Sequence, residues 1–459
     1  MHNIKRFITI LFVLFTITAK SQNKQVLYDF AELPQALLLN PGTETNYKYH
    51  IGVPFLSGIS SEFGSTGFSI SDVFASNNIS INDKVSTVLN TLSTRDHLKL
   101  NFQLEVLNTG FRFKDDFYFS FGFYQEFDAI SYFPKDPITL ITEGNSAYLN
   151  KSFDLSQILY KVDVLGVLHF GVTKKINEKL TLGGRFKMYS SALNLESSNN
   201  TGTFTTVEGV NNIYSHYLND TDITIRTAGL IENNKYIDDS GAILSNTFLG
   251  PNFGVGLDMG FTYHVTDQIE ITGSIVDFGF IKHKKSIKNS FIKGSYNFEG
   301  IEFSYDETNS IDYWNELDTD VKEKIPSGSN QDAYISWRPT KVNASLKYSF
   351  GEKRSKECYD NTYKDFYRNA IGIQLYSVFR PLSPQLAITG FFEKSLLDKV
   401  RAKLTYTVDD YSFYNIGAGI SAKIGKVNFY GIVDNIAQFN DIAATNNISF
   451  QLGFNIIFN

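Results

Sequence analysis

The sequence contains one cysteine, two tryptophans and ten prolines in 459 residues. The single cysteine, Cys358, cannot form an internal disulfide, so the fold must be held by backbone hydrogen bonds and packing. Beyond the N-terminus, no apolar run approaches the roughly 18 residues that a transmembrane helix needs. If the chain crosses a membrane, it does so with β-strands, because only helices and closed barrels pair every backbone polar group in lipid.

Recognisable catalytic motifs are also absent. The sequence has no phosphate-binding loop, dinucleotide fingerprint, zinc-protease motif or serine-hydrolase elbow, and its histidines are scattered without metal-ligand spacing. A formal net charge of −6 argues against a general nucleic-acid-binding protein. We therefore predict a protein that is not an enzyme and has no cofactor or metal. A hydrolase site assembled from distant strands remains open, because geometry rather than sequence order defines such sites.

An acidic segment at 299–324 contains nine Asp and Glu residues against two lysines. A calcium site is conceivable there, but the segment lacks the glycine-containing loop of an EF-hand. We interpret it as a solvated surface loop, which is how charge runs usually behave.

The N-terminus has the parts of a secretory signal peptide. A positively charged start precedes an apolar stretch at 7–19, and small residues occupy the −3 and −1 positions of a cut between Ser21 and Gln22. The apolar stretch is too short for a membrane helix and is followed by Lys20. We predict residues 1–21 as a signal peptide and export of the mature chain.

Apolar and polar residues alternate along the C-terminal stretch 448–459. A period of two gives a strand with one apolar face, and the length suits the roughly 9–11 residues of a tilted transmembrane strand. The aromatic end resembles the recognition signal of outer-membrane barrels. We expect this strand to serve barrel assembly through its apolar face, which consists of Phe450, Leu452, Phe454, Ile456 and Phe458.

The same alternation recurs from residue 98 onwards, in segments joined by short turns or by long polar loops. This combination is typical of a transmembrane barrel. We predict an all-β fold, a transmembrane antiparallel β-barrel formed by residues 49–459, with about 14 strands at roughly 30 residues per strand and loop. The alternative is a secreted β-sandwich, but its strands are usually shorter. The expected extracellular loops are 194–220, 232–245, 282–340 and 352–367.

Two further segments do not follow the strand pattern. Residues 22–48 are short and interrupted by proline, and we predict a periplasmic segment or a plug that packs inside the barrel. One short helix is predicted by apolar residues on one helical face, with Asn82 and Asp83 near its start. This helix either covers one barrel end or gates the lumen, and its apolar face consists of Ile81, Val85, Val88, Leu89 and Leu92.

The polar faces of the strands carry charges of both signs. A Lys or Arg on the lipid side would cost about 2–4 kcal/mol at mid-membrane, so these faces should line the lumen. Because interior charges normally pair, we interpret them as ion pairs that fill the barrel. An anion-attracting pore would require an open channel. The predicted lumen-facing charges are Lys99, Glu105, Glu126, Arg185, Lys187, Asp258, Lys347, Arg401, Lys403, Asp409, Lys423 and Asp434.

Several short patterns resemble the DUF5723 family of Bacteroidota. They are Tyr-Phe-Pro-Lys-Asp-Pro at 132–137, Leu-Gly-Gly-Arg-Phe-Lys at 182–187, and Leu-Asn-Pro-Gly at 39–42, which also resembles the start of PorP/SprF and PorV-type proteins. The resemblance implies an outer-membrane barrel of roughly fourteen strands, akin to FadL-type transporters. These motifs are turn and packing patterns, so no functional residue carries over.

Two functions follow as hypotheses from this resemblance. The first is a non-enzymatic barrel in the outer membrane that anchors or escorts exported surface proteins, as PorP/SprF and PorV-type proteins do in type IX secretion. Its expected partners are outer-membrane lipid, an exported surface protein or the secretion machinery, and not nucleic acid. The alternative is a FadL-like transporter of a small or hydrophobic ligand.

Overall fold

The computed structural model describes residues 24–30, 33–198, 200–210, 212–232, 235–236, 240–299, 319, 323, 327–352, 367–397, 399–409, 411–436 and 444–458. Fourteen antiparallel strands form a closed barrel, which agrees with the predicted fold class. The strands are β1 (Tyr49–Gly52 and Ile59–Ser65), β2 (His97–Phe113), β3 (Phe117–Tyr132), β4 (Tyr160–Lys175), β5 (Leu180–Ser197), β6 (Asn252–His264), β7 (Ile269–His283), β8 (Tyr334–Trp337 and Lys341–Glu352), β9 (Tyr367–Phe379), β10 (Pro384–Leu397), β11 (Val400–Val408), β12 (Asn415–Ile424), β13 (Val427–Asp434) and β14 (Asn447–Phe458).

The barrel closes where its first strand pairs with its last. Tyr49 is opposite Phe458 and Ile59 is opposite Leu452 in the antiparallel β1–β14 ladder. β1 is interrupted at 53–58, but backbone bonds from this interruption to β14 continue the ladder, with Val53 N bonded to Phe454 O at 3.1 Å. Closure leaves no exposed sheet edge among the fourteen strands, as a barrel in lipid requires.

Side chains alternate between an apolar outer face and a polar inner face. On β11, Leu404 is 52% exposed on the outside, whereas its neighbour Lys403 is fully buried on the inside. The predicted C-terminal strand follows the same rule, because Phe450, Leu452 and Phe454 of β14 are exposed on the outside. The outer face therefore presents the continuous apolar belt that hydrocarbon favours.

The two ends of the barrel differ in the length of their connections. At one end, here called the turn end, segments of two to four residues join β2–β3, β4–β5, β6–β7, β10–β11 and β12–β13. The other end, the loop end, carries the connections β1–β2, β3–β4, β5–β6, β7–β8, β9–β10, β11–β12 and β13–β14, most of which are longer.

The segment 352–367, expected among the long extracellular loops, is a correction to the sequence analysis. Glu352 of β8 pairs with Tyr367 of β9, and Tyr348 of β8 pairs with Ile269, which directly follows the β6–β7 turn. The connection therefore lies at the turn end, because direction reverses at every strand and the end is set by strand order rather than by loop length. Residues 353–366 themselves lie outside the described residues.

The connections at the loop end are largely structured. A five-stranded sheet extends the wall beyond β5, and it contains Ser152–Asp154, Thr201–Glu208, Tyr214–Ala228, Ile287–Phe298 and Ser327–Asn330 in spatial order. A short hairpin joins Ile231–Glu232 to Lys235–Tyr236. The segments 194–220, 232–245 and 282–340, expected as loops, thus contain strands, and Trp337 belongs to the barrel wall.

Four α-helices occur in the described part of the chain, where the sequence analysis expected one. They are α1 (Ile70–Phe74), α2 (Ile81–Thr91), α3 (Lys135–Glu143) and α4 (Ser240–Leu249), with 3₁₀ turns at Pro34–Leu38 and Leu155–Gln157. The expected helix is α2, whose N-cap is Ser80, with its hydroxyl accepting from the Asp83 N–H at 3.1 Å. Among the described residues, no helix combines the length and the apolar character needed to span a membrane.

The apolar outer face predicts a large effect of charge. Leu404→Lys, at the middle of β11, should lower the free energy of unfolding in lipid vesicles by about 2–4 kcal/mol. Val210→Lys, in a loop-end hairpin where the side chain is 97% exposed, should change it by less than about 0.5 kcal/mol. Urea unfolding followed by tryptophan fluorescence measures both. Equal effects would contradict a lipid-facing position for Leu404.

Candidate functional site: the plugged lumen

Residues 24–30 and 33–47, here called the plug, lie inside the barrel. The apolar side of the plug packs against inward-facing residues of β13, and this cluster consists of Val26, Leu27, Phe30, Leu33, Leu39, Tyr430 and Ile432. A second contact joins Leu37 and Tyr47 of the plug to Tyr118 and Ile457 of the wall. The plug thus packs against inward-facing residues of β3, β13 and β14.

Several of the hydrogen bonds between the wall and the plug go to the plug backbone. Inward-facing side chains of six strands donate, and plug carbonyl oxygens accept. The bonds are Arg185 to Leu37 at 2.5 Å, Ser274 to Leu39 at 2.6 Å, Thr173 to Pro41 at 2.6 Å, Thr262 to Gly42 at 2.9 Å, Gln374 to Gln25 at 3.0 Å, and Lys403 to Tyr28. Backbone acceptors inside a barrel need partners, and the wall supplies them.

Two glycines on the wall allow the plug backbone to approach closely. A Cβ atom at Gly183 of β5 would lie 1.9 Å from the carbonyl oxygen of Pro41. A Cβ atom at Gly260 of β6 would lie 2.0 Å from Oδ1 of Asn40. Any side chain at these two positions would therefore displace the Asn-Pro-Gly turn of the plug.

Gln35 of the plug bonds to the interrupted seam of the barrel. Its Nε2 lies 2.9 Å from the carbonyl oxygen of Ser57, 3.0 Å from Oε2 of Glu105 and 3.0 Å from Oδ1 of Asn455. Ser57 belongs to the break in β1, and the hydroxyl of Tyr430 also donates to its carbonyl at 3.1 Å. The plug therefore supplies one of the two side-chain donors that bond the Ser57 carbonyl at the break in β1.

The lumen around the plug is filled with ion pairs. Arg338 bonds Glu126 at 2.7 Å and Asp163 at 3.4 Å. Further pairs are Lys99–Glu62 at 2.6 Å, Arg185–Asp258 at 3.3 Å, Lys187–Asp258 at 2.9 Å, Lys187–Asp277 at 2.6 Å, Lys341–Asp277 at 2.9 Å, Lys347–Glu270 at 2.6 Å, Arg380–Asp128 at 2.6 Å and Arg401–Glu393 at 3.5 Å. Pairing of this extent offsets the cost of burying each charge.

The structure places ten of the twelve predicted lumen charges in buried positions. Arg401 and Lys423 are half-buried. Asp409, at the end of β11, accepts from the backbone N–H groups of Tyr411 and Ser412 at 2.9 Å. Asp434 accepts from the hydroxyl of Ser449. The remaining predicted charges, which bond to the plug or to other lumen side chains, are Lys99, Glu105, Glu126, Arg185, Lys187, Asp258, Lys347 and Lys403.

The sequence analysis missed about half of the ion-pair members. Asp128 and Asp163 continue the inward positions of β3 and β4 and could have been found by extending the alternation. Asp277 could not be found in this way. A bulge in β7, opposite the segment between Leu257 and Met259 of β6, shifts the alternation of inward and outward positions. The other missed members are Glu62, Glu270, Arg338, Lys341, Arg380 and Glu393.

Burial changes the titration of two plug residues. Desolvation, together with the nearby Lys341, lowers the pKa of Lys24 to about 8. Desolvation raises the pKa of Asp29, which accepts from the Thr272 hydroxyl at 3.0 Å. Because the docked plug disfavours charged Lys24, docking becomes more favourable as the pH rises from about 8 to 10.5.

One section of the wall is apolar on its inner face. Here called the apolar wall patch, it lies beside Leu38 of the plug and consists of Tyr124, Leu165, Val167, Tyr189 and Ile281, all buried. The β4–β5 register is irregular at this section, between Val164 and Leu165. The patch is one of several apolar sections of an inner surface that is largely polar.

Two remaining predictions concern positions that the structure does not test. The predicted cleavage site, Ser21 and Gln22, lies outside the described residues. Within the described ranges, no cluster of three or more His, Cys, Asp or Glu residues could hold a metal ion. The acidic segment 299–324 is mostly outside these ranges.

Comparison of the sequence with family models decides the family. A model described as a family of unknown function, DUF5723, matches residues 41–434. The chain belongs to the DUF5723 family. This match confirms the family expected from the sequence, while the relationship to PorP/SprF and PorV-type proteins stays a prediction. No curated protein matches the sequence.

Solved outer-membrane barrels resemble this DUF5723 protein in fold. The toluene transporter of Ralstonia pickettii is 10% identical, with 97% of this chain and 100% of that chain covered and a TM-score of 0.43. A FadL homologue of Pseudomonas aeruginosa is 9% identical, with 96% and 97% covered and a TM-score of 0.43. The toluene transporter of Pseudomonas putida is 10% identical, with 96% and 94% covered and a TM-score of 0.33.

Displacement of the plug can be tested at adjacent glycines. Gly183→Val should push the Asn-Pro-Gly turn off the wall and raise ion conductance in planar bilayers, because its Cβ collides with the plug. Gly184→Val is the matched control, since its Cβ meets nothing closer than 4.0 Å, at the Asp258 carbonyl. Unchanged conductance in a folded Gly183→Val barrel would show that the plug does not close the lumen.

Buried and exposed ion pairs should differ in their effect on stability. Arg338→Ala leaves Glu126 and Asp163 without this partner, which should cost about 3–5 kcal/mol of unfolding free energy. Lys293→Ala breaks a pair with Asp222 in which both side chains are about half exposed, and it should cost less than about 1 kcal/mol. Urea unfolding in vesicles provides the comparison, and similar losses would contradict a low-dielectric lumen.

Proposed function

We propose that the protein is a gated channel for small hydrophobic molecules in the outer membrane, with the plug as its gate. The observation that supports this is the apolar wall patch beside Leu38 of the plug. This patch packs against one apolar side chain of the plug, Leu38, whereas Tyr430 and Ile432 pack against five. A shift of the plug would offer this surface to an apolar ligand.

The way in which the plug is held is compatible with movement. Several of its attachments are hydrogen bonds from neutral wall side chains to plug carbonyls, such as Ser274 to Leu39 and Thr262 to Gly42. Each such bond contributes only about 0.5–1.5 kcal/mol net, because water can replace either partner. The barrel ladder does not depend on most of these bonds, so the plug can shift while the fourteen strands stay paired.

Ligand binding can be tested with two leucines of β4 on opposite faces. Leu165 is fully buried in the apolar wall patch, whereas Leu168 faces outward beside it. Leu165→Ser should weaken binding of decanoic acid and of toluene to the protein in nanodiscs at least tenfold, and Leu168→Ser should leave binding within about twofold. Calorimetric titration, with empty nanodiscs as the blank, measures both. If neither decanoic acid nor toluene bound to the wild-type protein above the blank, the proposal would be contradicted.

The loop-end sheet favours a second candidate function. Its five strands project beyond the barrel, and the hairpin at its tip exposes Val210 and Ile213, which are 97% and 79% exposed. Such a projection suits the anchoring or escort of an exported surface protein in type IX secretion. Photo-crosslinkers at these two positions in living cells should capture an exported protein or a secretion component, and failure to capture either would count against this role.

A further inference from the structure

Helix α4 lies on the outer surface of the barrel, not over its mouth. The hydroxyl of Thr247 accepts from Nε2 of Gln125 at 2.7 Å, and the carbonyl of Asn246 accepts from the hydroxyl of Ser190 at 2.7 Å. Gln125 and Ser190 belong to the outward-facing rows of β3 and β5, because their sequence neighbours Tyr124 and Tyr189 face the lumen. The helix therefore crosses the outside of β3, β4 and β5.

The helix fits closely against the wall. A Cβ atom at Gly166 of β4 would lie 1.8 Å from the carbonyl oxygen of Thr247, so only glycine allows this approach. The ring of Phe248 stacks on Phe123 of β3, with centroids 5.0 Å apart and an interplanar angle of 21°. The backbone N–H of Gly250 also donates to the hydroxyl of Ser190 at 2.6 Å.

The height of α4 on the wall places it within the apolar belt. Gln125 lies eight residues above the start of β3 at Phe117, which corresponds to about 20 Å along the barrel axis for a strand tilted by about 40°. An apolar belt is about 25 Å tall. Below the helix, the outward residues of β3 and β5 are largely exposed and apolar, as Phe121, Phe186 and Met188 show.

The polarity of α4 is the reverse of that expected in water. Thr247, which bonds to the wall, is 1% exposed, whereas Leu244 and Phe248 are 53% and 47% exposed. A surface helix in water turns its apolar side inward and its polar side outward. Ser245 is the one hydroxyl on the described exposed side, a type that helices in lipid tolerate through backbone bonding.

From this reversed polarity and this position, we propose that α4 is embedded in the outer leaflet, with its exposed side in contact with lipid acyl chains. The wall beneath it supplies the polar partners that lipid cannot, namely Gln125 and Ser190. The exposed Leu244 and Phe248 continue the apolar belt of the neighbouring strands. The occupant of this surface is therefore membrane lipid, and the helix connects the loop-end sheet to the bilayer.

A fluorophore at residue 244 tests this position directly. With Cys358→Ser as background, Leu244→Cys carries an NBD label in phosphatidylcholine vesicles. The label should be quenched by a spin label on the lipid acyl chain and protected from iodide. Leu346→Cys is the lipid-facing control on β8, where the side chain is 51% exposed, and Val210→Cys is the water-facing control. Quenching at 244 that matches Val210→Cys would overturn the proposal.

Substitutions at two glycines test the contact between α4 and β4. Gly166→Leu in the Leu244→Cys background should displace α4 and shift the NBD emission maximum, because its side chain overlaps Thr247. Gly184→Leu, also on the outer face but with no atom closer than 4.0 Å, should leave the emission unchanged. An unshifted spectrum in the Gly166→Leu protein would show that the helix does not rest on β4, and would overturn the assigned seat.

Discussion

The requirement that every backbone polar group be paired within lipid governs this structure. It is met by the β1–β14 ladder, which closes fourteen strands although β1 is broken at 53–58. At this break, Gln35 of the plug bonds to Ser57, while Glu105 N bonds to Gly58 O across to β2. The plug therefore contributes a hydrogen bond to the interrupted part of β1, in addition to filling the lumen.

Ion pairs connect the inner faces of the strands, whereas the outer faces are apolar. Arg338, Arg380 and Lys187 each pair with acidic groups from other strands, so the ion pairs connect sections of the wall that are distant in sequence. In a low-dielectric interior, removing one partner costs far more than at a surface. Apolar sections such as the apolar wall patch interrupt this largely polar inner face, and helix α4 covers part of an outer face that is otherwise built from strands.

Alternation along the strands was sufficient to predict the barrel, its approximate strand number and the inward positions of about half of the charges that form ion pairs. It could not identify partners, since Lys99 pairs with Glu62 of β1, a strand whose pattern is weak. Sequence patterns also did not predict α4. The segment is short and apolar, and its Thr247 faces the barrel wall, so it lacks the polar outer face by which a surface helix is recognised. Loop length does not predict that Glu352 and Tyr367 lie at the turn end, because strand order determines the end at which a connection begins.

The sequence by itself determined the fold class, because a period-two pattern of this length has one low-energy arrangement in lipid. Only the tertiary structure decided what occupies the lumen and what covers the outer wall. The plug depends on glycines such as Gly183 and Gly260 meeting Asn40 and Pro41 across more than a hundred residues. Such contacts arise from closure of the barrel, which no local pattern encodes.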